Sequence, residues 1–102
     1  MKDKLKTKIQ LPEIDTEDFP YKFYKCWWRD IISSENWEDI STIKKSKPAI
    51  CITCGWLIST KNNNYVFVAD VSFNDDETIT QGGNSTVIPK TNVLKLKEIK
   101  NI

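Results

Sequence analysis

Histidine is absent from the 102 residues. Its absence removes the side chain that most often acts as general base near neutral pH, and the commonest metal ligand. A Ser–His or Cys–His nucleophilic pair is therefore excluded. An excess of charge is lacking too: 15 Lys and Arg stand against 14 Asp and Glu, for a net charge of +1. That balance argues against a dedicated duplex-DNA binder, which carries a clear basic excess. No apolar run approaches the ~20 residues needed to cross a bilayer. The start, MKDKLKTKIQ, has lysines but no apolar stretch of the kind a signal peptide needs. Cysteines are few, namely Cys26, Cys51 and Cys54. An odd set without a secretory signal does not suggest a disulfide framework. The expectation is a soluble protein of a reducing cytoplasm, with no membrane partner.

What is present suffices for one modest core: 39% of residues are hydrophobic and 11% aromatic. The chain divides into a charged N-terminal arm, residues 1–18, and a single domain, residues 19–102. In the arm, Leu5, Ile9 and Leu11 alternate with Lys4, Lys6, Lys8 and Gln10, a pattern open between an edge strand and a solvated tail. Tyr21–Trp28 reads as the first strand, with Tyr21, Phe23 and Trp27 on one face and Tyr24, Cys26 and Trp28 on the other. Neither face is polar throughout, which predicts that one lies on the core and the other on a loop or a second subunit, in a homo-oligomer. Ser41 is a plausible N-cap for one short helical turn that ends in Lys44 and Lys45.

The organising stretch is Pro48–Ser72, two β-branched, aromatic-rich runs about the turn Lys61–Asn64. Ile50, Ile52, Cys54, Trp56 and Ile58 share one parity and are expected to face the core. Gly55 marks a bulge or a close approach of backbone. Phe73–Asn84 reads as a long polar loop, Ser85–Pro89 as a short strand, and Val93–Ile99 as the last strand. Five strands and one short helix predict a mainly β fold, most simply closed into a small barrel without exposed edges.

Val87–Val93, VIPKTNV, resembles the end of Src-homology-three-like barrels, where a proline opens a one-turn 3₁₀ connection between the last two strands. The resemblance implies an SH3-like barrel. Asn92 stands where peptide-binding members usually carry an aromatic residue, so their polyproline groove is not implied. A longer resemblance is to small bacteriophage-encoded proteins. It rests on Trp28-Arg29-Asp30, on Trp37 after a serine-rich turn, on Gly55-Trp56-Leu57-Ile58, and on Gly82-Gly83 before Thr86-Val87-Ile88-Pro89-Lys90. It implies a phage origin and a compact β domain, without an established activity.

The candidate chemistry is thin. Cys51-Ile52-Thr53-Cys54-Gly55 has the spacing of one zinc knuckle, but a structural site needs about four ligands. Buried, unliganded cysteines are expected, with no metal and no cofactor. Asp75, Asp76 and Glu77 read as solvated charge, and Gly82-Gly83 is too short for a phosphate-binding loop. The aromatic residues are more informative. Trp27, Trp28, Trp37 and Trp56, with tyrosines and cations nearby, suit nucleobase stacking or a protein interface as well as a core. Trp56 is the expected core member, and the expected ligand-binding set is Tyr24, Trp28, Arg29, Asp30, Trp37, Lys44 and Lys90. Taken with the phage origin that the resemblance implies, the expected function is that of a non-enzymatic phage accessory protein that sequesters a nucleotide-derived small molecule of bacterial antiviral signalling, in the cytoplasm of the bacterial host. The alternative is a protein-interaction module that inhibits or recruits a host or phage protein.

Overall fold

The computed structural model describes residues 9, 11–74 and 79–102. Strands β1 (Lys22–Asp30), β2 (Ala49–Ser59), β3 (Asn64–Phe73), β4 (Ile79–Pro89) and β5 (Val93–Glu98) form one antiparallel sheet in the order β4-β3-β2-β1-β5. A four-residue helix, α1 (Ile40–Ile43), lies between β1 and β2. A 3₁₀ turn, Lys90–Asn92, joins β4 to β5 where the Pro89 pattern puts it. The protein is thus mainly β, as expected. The finer expectation of a closed barrel is corrected: among the described residues β4 and β5 do not pair, and the sheet stays open.

Local chemistry explains most of the boundaries. Asn62 and Asn63 take φ of 58° and 60°, and the Asn64 amide donates to the Lys61 carbonyl at 3.1 Å. Positive φ at both central residues is the hairpin turn whose twist matches the strands it joins, and asparagine tolerates it. The 3₁₀ turn is pinned from two sides. The Lys90 amide donates to the Asn63 carbonyl at 2.8 Å, and Asn92 Nδ2 donates to the Arg29 carbonyl at 2.9 Å. Asn92 therefore serves as a clamp between the last turn and β1.

Two local expectations are corrected. The helix is capped by Asp39, with no side-chain capping bond, and not by Ser41. The polar loop is also shorter than expected, because β4 begins at Ile79. Gly83 and Gly82 pair with Asp70 and Val71 inside the strand. Gly82 is there because of packing, since a Cβ on it would come within 2.9 Å of the Val68 side chain. Asp75, Asp76 and Glu77, and the arm's Leu5, Lys4, Lys6, Lys8 and Gln10, lie outside the described residues.

The core forms on the inner face of the sheet. Cys26, Phe67 and Ile88 are fully buried, and Tyr24, Trp28, Leu57, Tyr65, Val93 and Leu96 pack against them. This reverses the expectation for β2. Ile50 is 64% exposed and Ile52 58%, while Gly55 is buried and Leu57 packs on the core. Gly55 decides the matter. A Cβ at that position would meet the Val68 carbonyl oxygen at 2.7 Å, so β3 crosses β2 at backbone contact on that side. Leu57 and Thr53, two residues either way, must then face inward with it. Thr53 looks polar for an inner position, but its Oγ1 accepts the Trp28 indole N–H at 2.9 Å.

The outer face is covered over only part of its length. Phe19, fully buried, packs edge-on against Tyr21 and Trp56 with ring centroids 5.4 and 5.8 Å away, and Phe73 lies at 5.9 Å. Phe23 closes on Trp56 at 5.2 Å. A short turn, in which the Thr16 and Phe19 amides and carbonyls bond reciprocally, sets Phe19 in place. The Lys22–Asp15 ion pair, at 2.7 Å, ties the same segment to the start of β1.

Two stability predictions follow from these contacts. Phe19→Ala empties the aromatic cluster and should destabilise by about 3 kcal/mol, the lower end of the range for a buried phenylalanine; chemical denaturation measures it. Gly55→Ala forces β3 off β2 and should cost on the order of 1–3 kcal/mol, read as a lowered melting temperature with the sheet signal retained.

Candidate binding surface

The structure brings Tyr24 and Trp28 of the expected ligand-binding set together and sets the others at different places. Tyr24 and Trp28 lie on the inner face, packed against the core. Arg29 and Asp30 are exposed at the end of β1, and Asp30 Oδ1 accepts the Ile31 amide at 2.8 Å, closing a local turn. Trp37 and Lys44 stand on the exposed connection between β1 and β2. Lys90 leans over the Tyr65 ring, with Nζ 5.2 Å from its centroid. Trp28 packs against the core with its indole N–H satisfied by Thr53, and like Trp27 it is half-buried.

The residue that sequence reasoning passed over is Trp27. Consecutive strand residues point to opposite faces, so Trp28 inside puts Trp27 outside. Its ring carries Lys25 Nζ at 5.5 Å and Lys95 Nζ at 5.2 Å. The register places Trp27 beside Ile52 and Lys95, Lys25 beside Cys54 and Lys97, and Arg29 beside Ile50. The outer face of β5–β1–β2 is therefore a strip of tryptophan and isoleucine edged by Lys25, Arg29, Lys95 and Lys97. No carboxylate of these three strands shares it, and none of the four cations forms an ion pair among the described residues. The sequence did carry a signal: Lys25 and Arg29, two residues either side of Trp27, have its parity, whereas Trp28 has Cys26.

Lys25 and Lys97 face each other directly across β1 and β5. Like charges at directly opposite positions destabilise a sheet. The arrangement leaves a local repulsion that a negatively charged partner relieves. Partly apolar and bordered by cations, the face is suited to a chain laid along it. By contrast, the clefts elsewhere are open. The first, of about 510 Å³, lies among Tyr21, Phe23, Trp56, Glu98 and Ile99. The second, of about 450 Å³, lies beside Tyr24, Leu57 and Lys61. The Trp56 indole N–H is buried without an acceptor among the described residues.

The cysteines divide by face. Cys26 is fully buried, Cys51 half-buried opposite Trp28, and Cys54 exposed opposite Lys25. The expectation of three buried thiols is thus corrected at Cys54, because β2 presents the opposite face to the core. Among the described residues no group of three His, Cys, Asp or Glu side chains could hold a metal ion, and no helix is long and apolar enough to cross a membrane. Comparison with known protein families, curated proteins and solved structures gives no match to this chain.

Burial pushes the Cys26 thiol above its ordinary value. Above about 8.5, the ordinary range of a thiol, the unfolded chain releases this proton while the folded chain keeps it. Folded stability should therefore fall with rising pH through that range. In the native protein iodoacetamide should label Cys54 first and leave Cys26 unmodified until denaturant is added; mass spectrometry of the labelled peptides reads the order.

Proposed function

We propose that the chain is a non-enzymatic binding module that takes an acidic, apolar protein segment on the outer face of β5–β1–β2. The observation that carries this reading is the Lys25–Lys97 opposition beside Trp27, on a face with exposed Ile50 and Ile52 and no carboxylate of its own. A carboxylate brought by a partner relieves the repulsion, and the tryptophan and isoleucines supply apolar area at the centre. Trp and Arg are the favoured anchors of such contacts. A module of this kind inhibits or recruits by occupancy and needs no general base, in keeping with a chain that has no histidine. In the phage setting that the resemblance implies, the target is a host or phage protein.

A second reading keeps the nucleotide-derived small molecule of bacterial antiviral signalling. It is favoured by the same tryptophan, because a ring flanked by Lys25 and Lys95 suits a base and its phosphate. Sequestration works best in an enclosed pocket that buries most of the ligand. The exposed Ile50 and Ile52 beside Trp27 give the protein segment precedence.

Lys97→Glu separates the readings from a folding effect. It sets opposite charges face to face with Lys25 and should stabilise by roughly 0.2–1 kcal/mol. Affinity for an acidic, tryptophan-bearing peptide should fall at least about tenfold, measured by calorimetry. Undiminished peptide binding would overturn the face assignment. Retention of a cyclic dinucleotide or an ADP-ribose derivative, lost in the same variant, would put the small molecule in the peptide's place.

A further inference from the structure

The connection from Ile31 to Pro48 is exposed at every residue. An exposed connection of this length is unusual between two paired strands, where connections are short unless they have a task. Its side chains are not those of a solvated loop. Trp37 is 100% exposed, Ile31 84% and Ile40 66%. Around Trp37 stand Glu35, Glu38 and Asp39, all exposed and without an ion pair among the described residues. Residues 35–40 are thus an acidic, apolar segment, the chemistry that the outer face of β5–β1–β2 lacks, and Lys44, Lys45 and Lys47 follow them in the same connection.

From this complementarity, and resting on the reading of that face given above, we infer that the partner includes a second copy of this chain. The Glu35–Ile40 segment of one protomer lies on the outer face of the other, with Trp37 against Trp27 and Ile52 and its carboxylates among Lys25, Arg29, Lys95 and Lys97. The placement of the two patches suits a reciprocal contact. The connection leaves the sheet at Asp30 and returns at Ala49, and Arg29 and Ile50 at that end already belong to the face. A two-fold axis beside that end lets both connections cross at once, each covering the other's face, so the assembly closes at a dimer. The alternative occupant within the chain is the arm, but Lys2, Lys4, Lys6 and Lys8 give its start the same sign as the face. The segment from Asp15 to Phe19 is already engaged with Lys22 and the aromatic cluster. A foreign acidic segment then binds by displacing the connection of the second copy.

The test is a charge exchange read by sedimentation equilibrium. The full-length protein should be a dimer in the low micromolar range. Glu38→Lys with Asp39→Lys turns the three carboxylates around Trp37 into a net positive set, and Lys25→Glu with Lys95→Glu and Lys97→Glu turns the face net negative; each variant alone should dimerise at least about tenfold more weakly. Mixing the two should restore dimers, since in the mixed pair each connection again meets a face of opposite net charge. Circular dichroism verifies that both variants are folded. A wild-type monomer at high micromolar concentration, or dimers that persist in both reversed variants, overturns the inference. A monomer that still binds an acidic, tryptophan-bearing peptide through Lys97 overturns the self-association alone and leaves the face reading standing. Loss of both removes the two together.

Discussion

The close crossing of β3 over Gly55 is the constraint on which the rest of the structure depends. Only a residue without a side chain lets the Val68 carbonyl come so near the backbone of β2. Once that side of β2 is inside, its register with β1 sends Tyr24, Cys26 and Trp28 inward and Phe23, Lys25, Trp27 and Arg29 outward. Phe67, next along β3, then lands on Cys26 and meets Ile88 of β4 to complete the core. One missing Cβ thereby settles the orientation of about half the sheet.

That orientation sets an unusual division of apolar surface. The inner face has a small core of fully buried residues. The outer face carries more large apolar side chains than its own chain covers, because Phe19 roofs only the end near Trp56. The uncovered end is where the cations gather. A face both apolar and positively charged is poorly served by water or by its own strands, since the charges repel across β1 and β5 and the isoleucines stay wet. The same chain displays its most exposed tryptophan within a cluster of carboxylates, on a connection exposed along its length. The proposed binding role rests on this surface.

Features governed by neighbours along the chain were legible in the sequence. Asn62 and Asn63 marked a turn because few other residues accept positive φ. Pro89 marked the 3₁₀ connection because its fixed φ and missing amide end a strand. The five strands and the short helix followed from β-branched runs and their punctuation. The candidate surface was legible in composition but not in place. Its ingredients, tryptophan with lysine and arginine, were recognised, yet they were assigned to Trp28 when the ring that faces out is Trp27. Two adjacent tryptophans have opposite faces, and nothing local says which is inside.

That choice belongs to contacts between residues far apart in sequence. Apolarity favoured Ile50, Ile52 and Trp56 as the core side of β2, and by count it was the better face. The tertiary structure reversed it through the approach of Val68 to Gly55 and the bond from Trp28 to Thr53, residues 13 and 25 positions apart. It also turned Gly82 from an apparent loop residue into a packing site under Val68, and left the sheet open where strand count alone suggested closure. The sequence by itself determined the elements, their turns and their order, because those depend on local backbone preference. The tertiary structure decided which face of each strand is buried, because strand alternation offers two faces and only steric contact with a distant strand selects one.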